Sequence, residues 1–191
     1  MIDHSTKLFH AYEVSVRPTP YHYSMKRVFL LLGSNQGDRK AALDTACDTL
    51  NESAGKIVRR SSIYRTSAWG NTDQPDFYNQ AIEIATPLSP DDLLKTCLEA
   101  ETRMGRKRLE KWGERLIDID ILFYDNVVLS HETLQVPHPH IPFRRFTLAP
   151  LAEIAPDFVH PSLDKSITQL LDECQDPLAV ERMTAEEESK K

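Results

Sequence analysis

Apolar and polar positions along the chain repeat with two different periods, and the switches between them mark the elements. Arg27-Val28-Phe29-Leu30-Leu31-Leu32 has no polar face, as expected of a strand buried on both sides. The turn-rich stretch Gly33 to Asp38 follows. Asp38 then reads as the cap of a helix whose Ala41, Ala42, Leu43, Ala46, Cys47 and Leu50 fall at helical spacing, ending at Gly55-Lys56. Ile57 to Tyr64 alternates as one strand, with Ile57, Arg59, Ser61 and Ile63 on a common face, and the aperiodic Arg65 to Asp76 reads as a loop. Phe77 to Thr86 alternates again, placing Phe77, Asn79, Ala81 and Glu83 opposite Tyr78, Gln80, Ile82 and Ile84. Beyond the turn Pro87 to Pro90, Asp91 to Met104 predicts an amphipathic helix. Ile119 to Tyr124 predicts a strand, Asp125-Asn126 a two-residue hairpin turn, and Val127-Val128-Leu129 its returning partner. The proline-dense His131 to Arg145 reads as loop, Phe146 to Ile154 as a short helix, Ser166 to Cys174 as a final helix and Thr184 to Lys191 as a charged tail.

The order predicts an α+β fold, a ferredoxin-like βαββαβ sandwich with an appended β-hairpin and extra C-terminal helices. Helices then cover one face of the sheet and leave the other, or its rim, for ligands. Residues 1–24 lack sustained periodicity and are expected to be a loosely ordered extension, with Met25 an alternative start. Residues 25–182 form the domain, and 183–191 the tail.

At 191 residues and 40% hydrophobic, the chain has the composition of an ordinary globular domain. A formal net charge of −6 opposes general binding to nucleic acid or to anionic membranes. Cys47, Cys97 and Cys174 are odd in number and far apart, which points to buried free thiols in a reducing compartment. With no membrane-length apolar run and no signal-peptide core, the expected location is the cytoplasm. Against this acidic background, the cations of Gly105 to Arg115 are a local feature. They lead into Leu116-Ile117-Asp118-Ile119-Asp120-Ile121-Leu122, where strand parity puts Asp118 and Asp120 on one face and Ile117, Ile119 and Ile121 on the other. Carboxylates about 7 Å apart along a strand can hold one or two divalent cations, and neighbouring guanidinium groups suit phosphate oxygens. On pattern alone, an apolar strand with a wet polar face reads the same way.

The run Lys111 to Leu122 resembles the signature of the 6-hydroxymethyl-7,8-dihydropterin pyrophosphokinases of folate biosynthesis. Six further pieces agree in order: Leu32 to Asn35, Tyr64-Arg65-Thr66, Asp73 to Phe77 with Asn79, Gly105 to Arg108, Val136 to Pro139, and Arg144 to Pro150. Lys111, Glu114, Ala68 and the segment His140 to Phe143 depart from the usual pattern.

The resemblance implies transfer of the diphosphoryl group of ATP to the hydroxymethyl of the pterin, leaving AMP. It implies two Mg²⁺ ions on Asp118 and Asp120, with Arg106 and Arg115 as catalytic phosphate ligands. Arg108, Arg144 and His138 join these on the ATP side, Leu94 and Ile121 border the adenine, and Glu101 lies near the nucleotide. Phe77 and Phe146 would stack on the pterin, Asn79 would read its edge, and Thr66, Ser67, Ala68, Trp69 and Gly70 would complete its pocket. Trp112 would fold over when the central loop shuts. The implied partners are these small molecules alone, for a monomer or homodimer. A rival from another class is a ferredoxin-like RNA-binding module using the basic loop and exposed aromatics, opposed by the net charge and by two acids beside the phosphodiester contacts. A second rival is a catalytically silent nucleotide sensor, opposed by the intact acids and arginines.

Overall fold

The computed structural model describes residues 24–67, 74–105 and 115–188. Strand β1 (Lys26–Ser34) is an inner strand of a six-stranded sheet, flanked by β4 (Phe77–Thr86) and β5 (Asp118–Tyr124), both antiparallel to it. The order is β5-β1-β4-β3-β8, where β3 is Tyr64–Thr66 and β8 is Val180–Arg182, and β2 (Lys56–Arg60) also pairs with β4. Alternation in β1 sends Val28, Leu30 and Leu32 to one face and Phe29 and Leu31 to the other, so both sides of the strand are buried as its unbroken apolar run requires.

The first face packs against α1 (Arg39–Ser53) and α2 (Pro90–Arg103) through Leu43, Leu50, Leu93 and Cys97. Asp38 caps α1 by accepting from the Ala41 amide, and Ser89 caps α2 by accepting from Asp92. The second face is not left open along its whole length. α3 (Arg145–Ile154) and α4 (Ile167–Glu173) cover part of it through Leu148, Leu151, Ile167 and Leu170. All three cysteines are free and buried, and burial pushes the Cys47 thiol up to about 11 and that of Cys97 to about 12.

Four expectations are corrected. The strand expected over Ile57 to Tyr64 is two strands, because the register slips between Ile57 and Arg59 and Ser61 interrupts the ladder. Ser61 Oγ accepts the Ala81 amide at 3.0 Å. Ile57 therefore packs on the helix-side core, while Arg59 crosses to the other face and pairs with Glu83 at 3.1 Å. Arg65 and Thr66 belong to β3 rather than to a loop. The turn at Asp125-Asn126 forms, but its return does not pair with β5. The outer edge of β5 instead receives the His138 amide on the Leu122 carbonyl at 2.9 Å, and the hairpin is β6 (Leu129–Ser130) with β7 (Gln135–Val136). Finally, α4 is followed by β8 and by α5 (Ala185–Glu188).

Candidate active site

The uncovered part of the second face holds a cleft of about 260 Å³, and the sheet register explains its floor. Gly33 of β1 stands opposite Asn79 of β4 on one side and Asp118 of β5 on the other, and Leu31 likewise separates Ala81 from Asp120. Side chains across such a row share a face, so an amide and two carboxylates look into one space. Glycine keeps that space open: a Cβ on Gly33 would lie 3.2 Å from Asn79 Oδ1 and 4.0 Å from both Phe77 and Asp118.

At the β4 end, Phe77 and Phe146 are aromatic walls and Asn79 is buried between β1 and β3. Asn79 Nδ2 donates to Thr66 Oγ1 at 2.9 Å, which orients the amide. Arg39 secures the strand from outside the cleft, with its guanidinium 4.0 Å from the Tyr78 ring centroid and a 2.7 Å bond to the Asp76 carbonyl.

At the β5 end the two acids lie among cations. Arg115 forms an ion pair with Asp118. Burial, then the neighbouring Asp118 charge, pushes the Asp120 carboxyl up to about 7 against the pull of Arg144 and Arg115. Burial beside a like charge makes the ionised Asp120 costly, and a divalent cation bound between the two acids would offset that cost. Among the described residues no three His, Cys, Asp or Glu side chains gather as a ligand set. Two carboxylates leave most positions of an octahedral ion to phosphate oxygens and water, the arrangement Mg²⁺ favours.

His138 reaches the cleft because its amide is anchored on Leu122, where the β1–β5 register slips. Its Nδ1 accepts the His140 amide at 3.2 Å, leaving Nε2 to carry the proton of the neutral ring. Burial, then Arg144 and His140, lower its pKa to about 4, so the ring is neutral at pH 7.

Of the residues singled out in the sequence, the cleft brings together Thr66, Ser67, Phe77, Asn79, Arg115, Asp118, Asp120, His138, Arg144 and Phe146. Ala68, Trp69, Gly70, Arg106, Arg108 and Trp112 lie outside the described residues. Leu94, Glu101 and Ile121 are not brought to the cleft. Leu94 and Ile121 pack in the helix-side core, and Glu101 accepts the Ile119 amide at 2.8 Å, fixing β5 from behind.

Leu31, Gly33 and Gln74 also line the cleft, with Asn35 as the tie beside them, and none of the four carries a predicted role in the sequence. Asn35 is buried; its Oδ1 accepts the Arg115 amide at 2.7 Å, and its Nδ2 donates to Gln74 at 3.3 Å. It thereby ties Gln74 to Arg115 through one side chain. Gly33 and Asn35 stand in the Leu32 to Asn35 motif, so the signal was present without a role attached.

The family profile described as 7,8-dihydro-6-hydroxymethylpterin-pyrophosphokinase (HPPK) matches residues 29–156. A 2-amino-4-hydroxy-6-hydroxymethyldihydropteridine pyrophosphokinase of Methylorubrum extorquens is 48% identical over 136 residues, 71% of this chain and 86% of the relative. One of the same name from Aquifex aeolicus is 40% identical, over 76% of this chain and 90% of its own length. Among solved structures, Plasmodium falciparum HPPK-DHPS wild type with pteroate superposes at a TM-score of 0.62 with 16% identity, covering 78% of this chain and 44% of that one. That likeness speaks for the fold, and this chain spans under half the length of the Plasmodium protein. The profile and the two identities establish that the chain belongs to the 7,8-dihydro-6-hydroxymethylpterin-pyrophosphokinase family.

Proposed function

We propose that the cleft holds ATP with Mg²⁺ at its Asp118–Asp120 end and the pterin between Phe77 and Phe146 at the other, so that the family's reaction takes place across Gly33. As a member of the family, the protein transfers the pyrophosphate of ATP to 6-hydroxymethyl-7,8-dihydropterin, a step of folate synthesis. The observation that supports the assignment of the two ends is the register row Asn79–Gly33–Asp118, which sets an amide and a carboxylate on one face. The strand order, with β1 and β4 central and the two helices on one face, supports the ferredoxin-like reading of the sheet.

The chemistry asks little covalent work of the chain. The pterin hydroxyl attacks the β-phosphorus in line, AMP leaves, and charge builds on phosphate oxygens, so catalysis is positioning and neutralisation. Bound Mg²⁺, as two ions by resemblance, supplies charge neutralisation at the phosphates and orientation of the hydroxyl. Asp118 and Asp120 hold the metal. Arg115 and Arg144 supply bidentate donors for the phosphates, and Arg106 and Arg108 join them by resemblance. His138, neutral and with its proton on Nε2, donates one hydrogen bond to the polyphosphate without adding charge. Asn79 offers both donor and acceptor to the pterin edge, while Phe77 and Phe146 stack on its faces. Thr66 and Ser67, with 68–70 and Trp112 by resemblance, close the pterin end against water. Leu94, Glu101 and Ile121 act from behind β5, holding the strand that presents the acids. No described helix is long and apolar enough to cross a membrane; the reading places the work in the cytoplasm, on small molecules, in a monomer or homodimer.

The test is incubation with ATP, Mg²⁺ and 6-hydroxymethyl-7,8-dihydropterin, followed by nucleotide chromatography. AMP is the expected product, and none should form in EDTA. Release of ADP instead would eliminate the diphosphoryl mechanism.

A further inference from the structure

Arg144 and Phe146 line the cleft, and Arg145 between them faces the other way. Its guanidinium donates to the Cys174 carbonyl at 2.8 Å and the Asp176 carbonyl at 3.3 Å. Its own amide, the first of α3, donates to Asp176 Oδ2 at 3.0 Å. The residue at the N-cap of α3 is Arg144, which has no side-chain acceptor and makes no cap bond. A buried carboxylate more than thirty residues downstream therefore does what a local Ser or Asp does elsewhere, and its negative charge suits the helix N-terminus. The other Asp176 oxygen accepts the Leu178 amide at 3.1 Å, so the carboxylate is fixed on both sides. Four residues later the same segment becomes β8, where Val180 pairs with Thr66 of the cleft. Asp176 and β8 both lie beyond residues 29–156, the part of the chain that the family profile matches.

We propose that Asp176, clasped by Arg145, is a positioning residue for the reaction: it caps α3 from the C-terminal segment and so sets Arg144 toward the phosphates and Phe146 over the pterin. This rests on the reading of Arg144 and Phe146 as substrate-contacting walls. Two cleft contacts on either side of Arg145 hang on one helical start, so a small rotation there displaces both. Geometry of this kind costs rate and affinity steeply when lost.

Asp176→Ala, Asp176→Asn, Arg144→Ala and Phe146→Ala are compared with the parent for KM of each substrate, kcat, and equilibrium binding of a nonhydrolysable ATP analogue and of the pterin. All measurements are made well below each variant's Tm. Asp176→Ala is expected to raise KM for both substrates about tenfold, with binding weakened in parallel. Asp176→Asn, which keeps one accepting oxygen but turns an NH2 toward the second amide, is expected to recover only part of that loss. A purely structural role would lower Tm and leave the KM values within about twofold of the parent, and that result overturns the proposal. If Arg144→Ala and Phe146→Ala also leave KM unchanged, the assignment of the cleft fails and the positioning role with it; if they raise KM and Asp176→Ala does not, only the positioning role fails. Should Asp176→Ala not fold, Arg145→Ala is carried through the same measurements with the same expected rise and the same overturning result.

Discussion

At Gly33 one methyl group separates an open cleft floor from a crowded one. The backbone there is ordinary strand, so alanine meets no backbone strain, and Tm should fall only as far as the buried, hydrogen-bonded Asn79 resists the new contact. The added Cβ, 3.2 Å from Asn79 Oδ1, presses on the amide that reads the pterin. Gly33→Ala is therefore expected to weaken pterin binding by about tenfold with ATP-analogue binding nearly kept, as calorimetric titration would show; equal weakening of both would remove the special role of this position. Asp118→Ala and Asp120→Ala should abolish turnover with the fold intact. Asp120→Ala should also raise the Tm of the metal-free protein, since it relieves a buried charge beside a like one. His138 carries a pH signature. Its pKa is lower folded than unfolded, so the unfolded chain binds more protons between about 4 and 6.5, and its contribution to stability falls as pH drops through that window. His138→Gln should flatten this part of the Tm-against-pH curve, and an unchanged slope would place the imidazole in solvent.

At the scale of elements, the site is a set of ties between short segments. Asn35 bonds to the amide of Arg115 and to Gln74, so Asn35→Ala leaves a partly buried donor unmet at a cost of about 1–3 kcal/mol. Hydrogen exchange should then quicken at Arg115 and around Gln74 together; acceleration at one alone would mean the segments are not joined through this side chain. The long elements were legible because their patterns are complete: β4, β5, α1, α2 and α3 appear where alternation or helical spacing puts them, and β1 where its unbroken apolar run does. The break between β2 and β3 was not, because it depends on Ser61 meeting β4 rather than on any local pattern. β8 was missed for a related reason. Three residues, of which Glu181 and Arg182 are exposed, show no period, and only pairing with β3 makes them a strand.

At the scale of the whole molecule, the sheet separates two kinds of work. One face is filled by α1 and α2, and the other is shared between α3, α4 and the cleft. Parity read from the sequence put Phe77 with Asn79 and Asp118 with Asp120 on common faces, and these four do meet in the cleft. It could not tell that Leu94 and Ile121 belong to the filled face, because an apolar side chain beside a nucleotide and one in a core have the same composition. Nor could local pattern reveal Asp176, whose partner lies thirty-one residues away in the chain.

The interior placement of all three native thiols has a practical corollary. A maleimide fluorophore needs an exposed thiolate, and none of the three offers one. Cysteine substituted at Val128 or Phe143, 62% and 69% exposed, would be the single reactive handle on the protein. A dye at Phe143, next to Arg144, would then report substrate arrival in real time, with no background mutations to introduce first.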